Sequence, residues 1–131
     1  MPFPVESGFI EQAESKLGVR FPESYRRRLL RRNGGELALA ADWIFQLAPV
    51  RDDSNAERLR RTWDDVVRQT EQARTWRRFP ANAVVIGQDG CGNLLVLLPD
   101  GSGVCEVAVW DHETGRIDAM QHDIFDGDGV D

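Results

Sequence analysis

Residues 83–113 read AVVIGQDGCGNLLVLLPDGSGVCEVAVWDHE, and this stretch decides the fold. It divides into three strands and two short loops. Residues 83–86 are a short run ending in β-branched side chains. Asp89-Gly90 and Gly92 supply turn chemistry. Residues 94–98 are five apolar side chains in a row, bounded by Gly92 and Pro99. That run is too short for a helix and reads as a central strand covered on both faces. Leu95 and Leu97 are expected on one face, and Leu94, Val96 and Leu98 on the other. After a second reversal at residues 99–103, Cys105, Val107 and Val109 alternate with Glu106, Ala108 and Trp110. Loops this short force antiparallel neighbours, because a parallel pair needs a crossover of a dozen or more residues.

The segments before this sheet carry helical patterns. Phe9, Ile10, Ala13 and Leu17 share one face of a helix over 7–17 that Gly18 ends. Pro22 opens a second helix running to Arg32, stopped by Asn33-Gly34-Gly35. Tyr25 and Leu29 are four apart and face the core, which leaves Arg26, Arg27, Arg28, Arg31 and Arg32 as a solvated basic face. Residues 42–47 form a further strand. Ser54-Asn55-Ala56-Glu57 has capping-box spacing, and Leu59, Trp63, Val66, Val67, Thr70 and Ala73 continue the helical period to Trp76. One long helix is expected there, lying across the sheet. A weak strand over 117–123 follows the turn at Gly115. Residues 124–131 read as a disordered acidic tail. The expected fold class is α+β: two leading helices and one long helix on a twisted, mainly antiparallel sheet, with 1–131 as a single domain.

At 131 residues the chain is long enough for a core without staples. Two cysteines are too few for a disulfide framework, and no apolar run reaches membrane-spanning length. The start, MPFPVESG, lacks a basic segment followed by an apolar one, so a cytoplasmic, reduced protein is expected. The net charge of −6 is unevenly spread. Residues 1–80 carry 15 Lys and Arg against 12 Asp and Glu, whereas residues 81–131 carry only Arg116 against 10 acidic side chains. The acidic half argues against direct nucleic-acid binding and suits either solubility or a cationic protein partner.

No reaction chemistry stands out. Cys91 with His112 or His122 lacks the spacing of a nucleophile–base pair, and the two Cys and two His form no zinc pattern. No metal, cofactor or catalytic residue is expected. Trp43, Trp63, Trp76 and Trp110 read as core by position, with Trp43 and Trp110 also open to reading as interface anchors beside aspartates.

Four motifs, in order, resemble the SUKH superfamily, which contains fungal cell-wall-assembly regulators and many immunity proteins of bacterial toxin systems. They are the helix and exit over 10–21, Pro22 and Tyr25 with Asn33-Gly34-Gly35, the turn Ile86-Gly87-Gln88-Asp89-Gly90-Cys91-Gly92-Asn93, and Val109-Trp110-Asp111-His112-Glu113. Arg28 and Arg32 stand where members often carry apolar or aromatic residues. The closing helix usual in the family is broken here by Asp126-Gly127-Asp128-Gly129. The resemblance implies a helix-on-sheet domain and a binding protein, not an enzyme. It implies an immunity-type role in which the chain neutralises a basic toxin domain, such as a nuclease, by direct contact. A generic interaction module without a toxin partner is the alternative. On charge, the contact surface is expected at Asp42, Asp52, Asp53, Asp111 and Glu113, with Trp43 or Trp110 as anchor.

Overall fold

A computed structural model describes residues 3–101, 105–120 and 123–125. The chain runs α1 (Ser7–Leu17), α2 (Glu23–Arg31), β1 (Gly35–Ala40), β2 (Trp43–Leu47), α3 (Ala56–Arg61), α4 (Val66–Ala73), β3 (Val84–Gln88), β4 (Asn93–Pro99), β5 (Cys105–Asp111) and β6 (Ile117–Ala119). The six strands form one sheet in sequence order, and every neighbouring pair is antiparallel. The α+β class read from the sequence is the observed one.

β4 is central, as its unbroken apolar run implies. Leu95 and Leu97 face the larger core with Ile10 and Ala13 of α1, Tyr25 and Leu29 of α2, and Phe45 and Leu47 of β2. Leu94 and Val96 face a second cluster with Ala73, Val85, Ala108 and Trp110. In β5, Cys105 and Val109 join the first cluster and Ala108 and Trp110 the second, following the period of two. Both sheet faces are therefore covered at β4 and β5. α1 and α2 cover one face; α4 gives Val66 to that face and Ala73 to the other, which the following segment covers with Phe79 edge-on to Trp110 at 5.2 Å.

Four details depart from the pattern reading. First, β1 was not legible: Gly34-Gly35 masks a strand whose Leu37 and Leu39 pack inward. Second, Arg28 is not on a solvated face. It is fully buried, and its Nη2 donates to Gly34 O and Glu36 O, each at 3.1 Å. The chain leaves α2 through residues whose carbonyls point inward, and a long guanidinium stem reaches them there. Third, the long helix is bent into α3 and α4. Thr62 Oγ1 donates to Arg58 O at 2.8 Å and accepts from Asp52 N at 2.9 Å, and the Asp65 carboxylate caps α4 by accepting from Arg68 N at 2.8 Å. Short polar side chains offer the backbone partners that compete with helix continuation. The bend turns Trp63 out of the core stripe to 57 % exposure, under the Arg68 guanidinium. Fourth, the last strand is confined to residues 117–119, all exposed.

β2 and β3 share only two register pairs, Gln46 with Gln88 and Leu47 with Gly87. Where β2 departs, α4 takes over the edge of β3: Val85 N donates to Thr70 Oγ1 at 2.9 Å. Only residues 124 and 125 of the stretch read as a tail are among the described residues. Phe125 is buried with its ring 5.1 Å from Tyr25, while residues 126–131 lie outside the described residues.

Candidate functional site

The meander brings three turns to one end of the sheet: β1–β2, β3–β4 and β5–β6. They are tied to one another in series. Trp43 Nε1 donates to Asp89 Oδ2 at 3.1 Å, joining the first turn to the second. His112 N donates to Gly92 O at 3.2 Å, and its Nδ1 donates to the same oxygen at 3.0 Å, joining the second to the third. Because a carbonyl only accepts, the proton sits on Nδ1 and Nε2 faces away. Arg78 Nη1 donates to Glu113 O at 2.7 Å, joining the third turn to the segment after α4.

Asp89 organises the middle turn. Its Oδ1 accepts from Cys91 N at 2.8 Å and Asn93 N at 3.1 Å, and its Oδ2 also accepts from Asn93 Nδ2 at 2.7 Å. Partial burial pushes this carboxyl up, but the donors from Asn93, Trp43 and Cys91 outweigh it and hold it below the ordinary carboxylate range. It is therefore an anion at neutral pH.

Gly92 is indispensable to this arrangement. It sits at φ +97, and a Cβ there would collide with the His112 ring. Gly92→Ala is expected to cost at least about 1–2 kcal/mol from the left-handed backbone alone. It should also displace His112, seen as loss of the Nδ1–H protection in NMR. An unchanged urea midpoint would refute this packing.

The predicted contact residues separate into two groups. Asp42, Trp43, Asp111 and Glu113 do gather at the turn end, joined by Asp89. Trp43 is 36 % exposed, its ring 5.3 Å from Phe45. Asp42 and Glu113 are exposed, and Asp111 is half-buried, accepting from Glu113 N at 2.9 Å. Asp52 and Asp53 do not join them, since they follow the far end of β2. Asp52 is only 1 % exposed. Burial raises its carboxyl, but hydrogen bonds from Ser54 N and Oγ and from Arg58 hold it below the ordinary range. It is a structural anion that closes the loop before α3, and Asp53 is exposed but stands apart from the turn end. Of the two readings of Trp110, core and anchor, the first is the observed one. At 1 % exposure, with Nε1 donating to Arg78 O at 3.2 Å, it is a core residue and not an exposed anchor.

A cavity of about 420 Å³ opens beside these turns on the outer sheet face. Leu94 and Trp110 form its floor and Trp76 one wall, the two indoles stacked 6.3 Å apart at 24°. Arg77, Gln88, Asn93 and His112 form the rim. The edge is held by Arg78, which adopts φ +69, a backbone conformation uncommon outside glycine. Its carbonyl takes the Trp110 indole proton, and its side chain lies against Gly115.

Of the residues around this cavity, the sequence marks Leu94 and Trp110 as strand positions and Gln88, Gly92, Asn93 and His112 as motif turn residues, but nothing in it joins them to Trp76 and Arg77. Trp76 and Arg77 lay at the end of an expected helix, where Trp76 read as core; it is 44 % exposed. The available signal was TWRRFP over 75–80, where Pro80 closes the helical pattern just after Trp76 and Phe79.

Cys91 is exposed and does not line the cavity, and Cys105 is buried. His122 lies outside the described residues. Among the described residues, no three His, Cys, Asp or Glu side chains are placed to hold a metal ion. No helix among them is long and apolar enough to cross a membrane.

Helices on one face of a six-stranded antiparallel meander, with tethered acidic turns at one end, define an α+β domain of the helix-on-sheet class. The chain belongs to the SMI1 / KNR4 family (SUKH-1), whose model matches residues 4–124. No curated protein matches it.

Proposed function

We propose that this chain is an immunity-type binding protein, not an enzyme, which neutralises a basic cytotoxic protein, such as a nuclease, by direct contact through the turn end. Family membership supports the class of role. The observation that carries the choice of surface is the row formed by Asp42, Asp89, Asp111 and Glu113 on three turns locked together by Trp43 and His112. Fixed carboxylates imitate a phosphate backbone and enter a basic cleft without first being ordered. The basic residues of α2 lie elsewhere, and Arg28 among them is internal.

The test is association kinetics with a basic toxin domain, the first candidate being any encoded beside this gene, across a salt series. The on-rate should fall about tenfold or more between low and physiological salt, as the screening length shortens to about 8 Å. Asp42→Asn with Glu113→Gln should slow association several-fold and leave the melting temperature within about 2 °C, because surface charge changes alter stability by less than about 0.5 kcal/mol. Arg27→Gln with Arg31→Gln should leave binding unchanged. Binding lost in the arginine variant and kept in the acidic one would place the contact on α2 instead.

A further inference from the structure

We infer that the cavity behind the turns is a binding site for a small planar aromatic monocarboxylate, its ring laid on Trp76 and its carboxylate held by Arg77. Such a ligand binds the free chain, independently of the proposed toxin contact.

Charge selects the anion. Among the described residues that line the cavity, Arg77 alone carries a fixed charge, and none is a carboxylate. Residues 74–78 hold three arginines, and two of them are committed to the backbone. Arg74 Nη2 donates to Ala83 O at 3.4 Å and Arg78 Nη1 to Glu113 O at 2.7 Å. Arg77, between them, makes no hydrogen bond or ion pair among the described residues. Its backbone is fixed on both sides. Trp76 N donates to Ala73 O at 2.9 Å before it, and after it the left-handed Arg78 is pinned by the Trp110 indole proton on its carbonyl. Backbone strain of this kind collects at ligand sites. A planar guanidinium with no other partner takes a carboxylate through two parallel N–H bonds.

The walls select the ring. Leu94 and Trp110 close the floor, and the Trp110 N–H is already spent on Arg78 O, so that floor is apolar. Trp76 stacks on Trp110 yet is still 44 % exposed, which leaves indole surface for a ligand. A flat ring laid there extends an offset stack. The rim adds the Gln88 amide and His112 Nε2, which the Nδ1 bond to Gly92 leaves as an acceptor. They suit a ring N–H and a polar ring substituent. A volume of about 420 Å³ lies at the low end for small-molecule sites and suits a compact ring system.

The surrounding charges limit the ligand to one negative charge. Asp89, Asp111 and Glu113 stand on the turns outside the cavity, and Asp89 spends its oxygens on Trp43, Cys91 and Asn93. One cation inside and three carboxylates outside accept a monoanion and disfavour a second charge. A carboxylate therefore fits better than the phosphate dianion of a nucleotide.

The probe is indoleacetate, titrated into the isotopically labelled full chain and followed by NMR. Saturable shifts are expected at the Trp76 indole N–H and at the amides of Arg77, Gly92, Asn93 and His112. Tryptamine, with the same ring on a cation, and adenosine monophosphate should bind at least about tenfold more weakly. Arg77→Gln should lower the affinity for indoleacetate about tenfold and leave that for uncharged indole unchanged. Arg60→Gln makes the same change in net charge on α3, outside the cavity, and should alter neither. Trp76→Ala should weaken both ligands. Trp76 and Arg77 are exposed, so the fold should survive, and thermal melts check that it does. No saturable shift at millimolar indoleacetate, equal binding of tryptamine or of the nucleotide, or unchanged indoleacetate binding by Arg77→Gln would overturn the inference. The assay contains no toxin, so its outcome and that of the salt series are read separately.

Discussion

Val96→Asp should yield no cooperatively folded protein. Val96 is fully buried at the middle of β4, paired with Val85 on one side and Ala108 on the other. Its side chain lies in the smaller cluster, walled by Ala73, Leu94 and Trp110. A carboxylate there must either lose its hydration or force the covering segment off the sheet, at a cost of several kcal/mol. A domain's whole margin is about 5–15 kcal/mol. Val96→Ala is the control for shape. It removes two methyl groups without adding charge and should destabilise by about 2–3 kcal/mol while folding normally. Circular dichroism melts and soluble yield compare the two. A soluble Val96→Asp protein with a sharp thermal transition would show that β4 is not covered on its outer face.

The second large effect is expected at Asn33. This residue is part of the Asn-Gly-Gly motif after α2, and its function is to hold a distant strand of backbone. Asn33 Oδ1 accepts from Val50 N at 2.7 Å, and its Nδ2 donates to Val50 O at 2.8 Å. The Asn33 backbone N donates in turn to Phe3 O at 2.9 Å. Both Asn33 and Val50 are buried, so water cannot replace these bonds. Asn33→Ala strands one donor and one acceptor of Val50, each at about 1–3 kcal/mol, for a total of about 2–6 kcal/mol. Asn33→Asp keeps the acceptor but loses the donor and buries a charge, so it should do no better. Urea titration measures this as a lower midpoint at constant slope. A loss below about 0.5 kcal/mol would mean that the loop after β2 is held by something else.

The family's Asn-Gly-Gly spacing was visible in the sequence, but the partner of Asn33 was not. The same division runs through the whole molecule. The strands over 83–113, their faces and their antiparallel order are local matters: an alternation of period two, glycine turns, and loops too short for a crossover. These were readable because each is set by residues within a few positions of one another. The first two helices were readable for the same reason.

What escaped depended on contacts between segments far apart in sequence. Arg28 reads as one of five arginines on a polar face, and only the return of the chain along β1 places carbonyls at Gly34 and Glu36 to take it in. Its standing at a position often apolar in the family was the one hint. The period through Trp63 predicts a continuous helix, and the bend comes from the competing hold of Asp52 on Thr62, ten residues away. Asp52 and Asp111 are alike as letters, yet one is spent on Ser54 and Arg58 and the other stands at the turn end. The cavity is the extreme case. Trp76 comes from the segment after α4, Gln88 and Leu94 from one hairpin and His112 from the turn after β5, and no local signal joins the three. Periodicity reports which face of an element is apolar, because burying that face is a demand of each element alone. Which buried group meets which partner, and which hollow is left between them, is settled only when the elements close on one another, since hydrogen bonding and packing act between atoms that the chain order does not bring together.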